Sequence, residues 1–131
     1  MDACDFGQFV PAFIDRDFGK AWAAFKYSQS QVIVSGHWGC GVFGGDYFLK
    51  LFQQTCAAMI LNENFKRLDY SVYGDQPLCD DMKNLLNSLE EKHLTVAEIY
   101  RMIIGYQEKM KSKTSSNLSF RKYVDDWLKS F

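Results

Sequence analysis

The residues with most chemistry to offer lie in one stretch, Val32-Ile33-Val34-Ser35-Gly36-His37-Trp38-Gly39-Cys40-Gly41-Val42-Phe43-Gly44-Gly45-Asp46. A short apolar run leads into Gly36, Gly39, Gly41, Gly44 and Gly45, and Asp46 opens a segment with helical spacing. Glycine at this density sacrifices backbone entropy and contributes no packing. A plain strand-to-helix turn needs one or two glycines. A run this rich suits positive φ angles or close approach of another group to the backbone. A strand feeding such a loop at a helix start gathers backbone N–H groups in one place. Those donors and the helix dipole favour an anion, above all a phosphate or diphosphate.

Other chemistries fit less well. Gly39-x-Gly41-x-x-Gly44 has the spacing of a dinucleotide fingerprint. That unit usually opens its domain and has an acidic ribose-binding residue about 20 positions on. Here the loop follows a long leading segment and holds the aromatic Trp38 and Phe43. No Gly-Lys-Ser/Thr follows the glycines, which excludes a Walker A loop. His37 could act as an acid or base, but Cys40 has no evident base to activate it. Cys4, Cys40, Cys56 and Cys79 are widely spaced and do not cluster with His37 or His93. That spacing does not suit zinc, and we expect no metal and no cofactor.

The elements that position the loop can be read from periodicity. Phe9, Phe13, Ala21, Trp22 and Phe25 predict a helix over 12–26, interrupted by Pro11 and Gly19. Val32 to Ser35 does not alternate, which predicts a strand buried on both faces, as in a parallel sheet. Asp46 is the expected N-cap of the next helix, with Phe48, Leu49, Phe52, Cys56, Met59 and Ile60 as its apolar stripe. A second strand over 67–73 completes a βαβ unit. Ligands in such sheets bind beyond the carboxyl ends of the strands, so the glycine loop and Tyr73 are expected on one edge. Met82, Leu85, Leu86 and Leu89 mark a helix over 78–92. Thr95-x-x-Glu98 is a capping box for a helix to Met110, with Ile99, Met102, Ile103 and Tyr106 inward. After a polar, basic connector, Phe120, Tyr123, Val124, Trp127, Leu128 and Phe131 recur at helical spacing. That last helix is expected to dock on the domain, with a partner-binding helix as the alternative.

A chain of 131 residues is one ordinary domain at most. Its net charge of −1 gives no general attraction to nucleic acid or to a membrane, and neither partner is expected. With no signal-like segment and scattered cysteines, an intracellular protein of nucleus or cytoplasm with reduced thiols is expected.

Gly36-His37-Trp38-Gly39-Cys40-Gly41-Val42-Phe43-Gly44-Gly45-Asp46 closely resembles the diphosphate-binding loop of poly(ADP-ribose) glycohydrolases, Gly-Asn-Trp-Gly-Cys-Gly-Ala-Phe-Gly-Gly-Asp. His37 and Val42 depart from that pattern. The resemblance continues through Leu49-Lys50, the strand ending Tyr70-Ser71-Val72-Tyr73-Gly74-Asp75, and Leu94 to Tyr100. Upstream, Asp2-Ala3 and Phe18 to Phe25 look like the segment just before the loop. In all it covers residues 1–108.

The resemblance implies the C-terminal part of a macrodomain-like α/β fold over 1–110, a βαβ unit plus several helices and helix-rich. A connector and amphipathic helix follow over 111–131. It implies ADP-ribose or poly(ADP-ribose) as the ligand. His37, Gly39, Cys40, Gly41, Val42, Phe43, Gly44 and Gly45 would line the diphosphate and ribose, and Tyr73 would stack on adenine. The family's catalytic signature, a triple glycine followed by Gln-Glu-Glu, lies upstream of the loop and has no counterpart here. The adjacent glutamates Glu90-Glu91 sit in a helical run well downstream. The chain alone is therefore expected to be inactive, with no catalytic residue of its own. An upstream segment or another chain would supply the missing half. The alternatives are a non-catalytic ADP-ribose binder and a helical protein-interaction module.

Overall fold

A computed structural model describes residues 8–28, 32–36, 46–61, 67–72, 74–110 and 118–131. The element order is α1 (Pro11–Lys26), β1 (Val32–Gly36), α2 (Tyr47–Ile60), β2 (Arg67–Ser71), α3 (Gln76–Glu91), α4 (Val96–Met110) and α5 (Phe120–Leu128). These form two compact units, Met1–Gly74 and Asp75–Phe131. Among the described residues no helix is long and apolar enough to cross a membrane.

In the first unit Pro11 begins α1 rather than interrupting it. The first turn has no use for the N–H that proline lacks, and its fixed φ suits that position. Gly19 is absorbed inside the helix with open space around it. β1 and β2 pair in parallel, Val32 opposite Arg67 through Gly36 opposite Ser71. Ala21, Phe25 and Ala57 form a buried cluster joined by Phe18, Trp22, Ile33, Leu61 and Leu68. Small side chains at Ala21 and Ala57 let the two helices approach closely. Burial of β1 on both faces is not observed, because Val34 is 74% exposed. Successive strand residues face opposite ways. Ile33 meets the helices, and Val34 faces the other side of the two described strands.

α2 differs from the single apolar stripe expected of it. Met59 and Ile60, at its last turn, are exposed. In exchange Lys50, Gln53, Gln54 and Ala57, spaced as one helical face, are all buried. Lys50 Nζ lies 2.9 Å from Asp17 Oδ2 on α1, and neither side chain reaches solvent. Arg16 Nε donates to Asp17 Oδ1 at 2.9 Å. Lys50 Nζ also donates to Gln53 Oε1, whose Nε2 donates to the Ile14 carbonyl. The two helices are thus joined by a hydrogen-bonded polar seam beside their apolar contact.

The second unit is helical, and side-chain caps open its helices, the capping box of α4 among them as the sequence predicts. Asp75 Oδ1 accepts from Leu78 N and opens α3. Thr95 Oγ1 accepts from Glu98 N and donates to Glu98 Oε1, which closes the capping box of α4. α3 stops through paired bonds from Leu94 N to Leu89 O and from His93 N to Glu90 O. This is the Schellman arrangement, with Leu89 and Leu94 both buried. His93 occupies its left-handed position at φ 51°. α5 buries Phe120, Val124 and Leu128. It meets α3 through Arg121, which grips Asp81 with Nε and Nη2. Those bonds hold the Asp81 carboxyl below its ordinary value. Tyr123 Oη donates to the Met102 carbonyl at 3.0 Å. Gly105 makes room for that hydroxyl, since a Cβ there would stand 2.7 Å from it.

Two stability measurements follow from these contacts. Lys50→Met leaves the buried Asp17 carboxylate without its main partner and is expected to cost about 3–5 kcal/mol in urea denaturation. Asp17→Leu combined with Lys50→Met removes both charges and should be the milder change, so the double-mutant cycle should show strong coupling. His93→Gly relieves a left-handed residue bearing a side chain and should raise stability by about 0.5–1 kcal/mol, read as a higher Tm.

Candidate functional site

The parallel register brings the carboxyl ends of β1 and β2 side by side, with Gly36 opposite Ser71. From Gly36 the chain enters the glycine segment, and two residues beyond Ser71 it reaches Tyr73. The starting points of both predicted binding segments are therefore neighbours on one sheet edge. That edge is where open α/β sheets take ligands. His37, Gly39, Cys40, Gly41, Val42, Phe43, Gly44, Gly45 and Tyr73 themselves lie outside the described residues.

Both stems of the glycine segment are tied down by polar side chains. At the entry, Gln54 Nε2 donates to the Gly36 carbonyl at 2.9 Å. At the exit, Asp46 N donates to Gln8 Oε1 at 2.7 Å. Asp46 also caps α2, its Oδ1 accepting from Phe48 N at 2.9 Å and Leu49 N at 3.0 Å. The cap follows the sequence expectation, and it changes the electrostatics of the edge. Two N-terminal donors of α2 that an anion could have used are already taken by a carboxyl group. Burial pushes the Asp46 carboxyl above its ordinary value, against the lowering effect of the Leu49 and Phe48 N–H groups and of Lys50.

No metal cluster accompanies these stems among the described residues. Burial pushes the Cys56 thiol up to about 12, so it stays protonated and inert at neutral pH. No three His, Cys, Asp or Glu side chains converge to hold a metal among the described residues. Glu90 and Glu91 are exposed at the end of α3.

Sequence reasoning missed Gln8, Gln54 and the Asp17–Lys50 pair. A signal for the last two sites was present. α2 carries one charge, Lys50, in 14 residues. A surface helix needs a charged or polar face in contact with water. So uncharged a helix is better read as buried nearly all round, which makes Lys50, Gln53 and Gln54 interior groups in need of partners. Gln8 gave no such signal, because its contact with Asp46 joins residues 38 apart.

The family model described as Poly (ADP-ribose) glycohydrolase (PARG), Macro domain fold, matches residues 1–80. "Poly(ADP-ribose) glycohydrolase 1" of Caenorhabditis elegans is 30% identical over 104 residues, covering 76% of this chain and 13% of that protein. "Probable poly(ADP-ribose) glycohydrolase 2" of Arabidopsis thaliana is 28% identical over 92 residues, covering 70% of this chain and 17% of that protein. "Poly(ADP-ribose) glycohydrolase 1" of the same plant is 28% identical over 101 residues, covering 77% and 18% respectively. The chain thus spans less than a fifth of the length of each of these relatives. With a matching model over more than half its residues and the predicted α/β elements in place, the chain belongs to the poly(ADP-ribose) glycohydrolase family, as the C-terminal part of its macro-domain catalytic region.

Proposed function

We propose that this chain supplies the diphosphate-binding part of a poly(ADP-ribose) glycohydrolase and does not by itself cleave the polymer. The observation that carries the reading is the placement of Gly36 against Ser71 at the carboxyl edge of the sheet. The glycine segment starts from that edge, where open α/β sheets take their ligands. In this reading the amides of Gly39 to Gly45 hold the linked phosphates. Cys40, Val42 and Phe43 contribute through their backbone. His37 stands where the family's asparagine would face the ribose, and Tyr73 stacks on the adenine. Because Asp46 occupies the first donors of α2, the loop amides carry the anion rather than the helix end.

Hydrolysis of a ribose–ribose link needs a carboxylic acid to protonate the leaving oxygen. No Gly-Gly-Gly with a following Gln-Glu-Glu occurs in the sequence. The contribution of this chain is then positioning, which can be worth about 7 kcal/mol of a barrier in favourable cases. The carboxylate comes from a segment or chain beyond these residues. The exposed Val34 face of the described strands suits further covering structure of that kind. A second reading, an ADP-ribose binder without catalysis, is favoured by the same missing carboxylates. It shares the site and differs only in whether a catalytic partner exists.

The test uses the pure 131-residue chain. We expect ADP-ribose to raise its Tm, poly(ADP-ribose) to remain uncleaved, and Gly44→Val to reduce calorimetric ADP-ribose affinity at least tenfold. Turnover of the polymer by the pure chain would overturn the positioning role. Equal affinity of Gly44→Val and the parent chain would remove the glycine segment from the site.

A further inference from the structure

Gln54 is fully buried, and half of its amide is left unpaired among the described residues. Nε2 donates to the Gly36 carbonyl at 2.9 Å, while Oε1 has no hydrogen-bond partner among the described residues. The orientation follows from chemistry, since a carbonyl oxygen accepts and only the amide nitrogen can donate to it. Burying an unpaired acceptor opposes folding. Methionine would fill a similar volume with no such atom, so as packing the glutamine is the poorer residue here. What the amide adds is its hold on Gly36, the last residue of β1 before the glycine segment.

The support for that hold is stiff. Gln54 lies one residue after Gln53 and one turn after Lys50, on the face of α2 that is bonded to Asp17 and Ile14 of α1. A side chain on such a platform transmits a fixed direction to the backbone it grips. We propose that Gln54 is a positioning residue. By fixing the Gly36 carbonyl it sets the direction in which the backbone leaves β1, and so the aim of the following N–H groups at a diphosphate. The ligand in this statement rests on the function proposed above, whereas the hold on Gly36 is independent of it.

Gln54→Met tests both parts, with Gln54→Leu as a second variant that fills the site but has no donor. Hydrogen exchange is followed without ligand over peptides spanning 36–46, and ADP-ribose affinity is measured by calorimetry. For Gln54→Met the lost bond and the removed orphan atom oppose each other, so its Tm should stay within about 3 °C of the parent. Exchange over 36–46 should become at least about threefold faster while peptides of α1 and α2 keep their rates. Affinity should fall about tenfold, the scale of one well-placed hydrogen bond. Val124→Ala, on the buried face of α5, is the control for plain loss of packing. It should lower Tm and leave affinity unchanged at temperatures well below its melting.

Unchanged exchange over 36–46 in a folded Gln54 variant would overturn the positioning role, as would acceleration spread equally over α1 and α2. Faster exchange with unaltered affinity would overturn the claim that the stem aims the amides. Faster exchange in a protein whose parent form binds no ADP-ribose would refute the diphosphate function and leave the hold on Gly36 standing.

Discussion

An aspartate and a lysine, both out of reach of water, join α1 to α2, and the edge of the sheet inherits its geometry from that pair. Removing either ion from water costs several kcal/mol, and their attraction offsets this only while the contact stays short and hydrogen-bonded. Arg16 and Gln53 supply the additional bonds. A slip of one helix along the other would strand a charge in the interior. The crossing of α1 and α2 is therefore held to one register, more narrowly than the apolar cluster of Ala21, Phe25 and Ala57 could hold it alone.

That register passes to the stems of the glycine segment by two routes along α2. At its start Asp46 caps the helix and is itself bound by Gln8. Two turns later Gln54 reaches the end of β1. Both routes use polar side chains with defined geometry, so the two stem residues are located by directed bonds. Shape alone would locate them less well, because apolar contacts are tolerant of direction.

The βαβ order, the Asp46 cap and the capping box were legible because each is a local pattern. Asp46 and Thr95 bond backbone N–H groups two or three residues away. Contacts between distant residues were not legible in that way. Asp17 and Lys50 stand 33 residues apart and Gln54 and Gly36 stand 18 apart. No period links their positions. The expectation for Val34 erred for a related reason. A non-alternating run such as Val32-Ile33-Val34 states that a strand suits burial on both faces, and not whether the residues that would cover the second face are among those described. The residues proposed to bind, His37, Gly39 to Gly45 and Tyr73, were picked out by their pattern and its resemblance, and the described structure speaks only to their stems.

Asp46 also constrains how an anion could be received at this edge. A free helix N-terminus offers donors and a partial positive charge. Here a carboxyl group has taken the Phe48 and Leu49 donors, and its own charge opposes a second negative group beside it. Burial already raises the Asp46 carboxyl above its ordinary value, which measures how poorly that charge is solvated. An incoming diphosphate would add to that penalty at the helix end and would lower it by standing farther out along the segment. Backbone amides that carry no side chain can approach such a ligand from several directions at once. The cap makes α2 sufficient to itself, and an anion at this edge would have to be met by donors other than the Phe48 and Leu49 N–H groups.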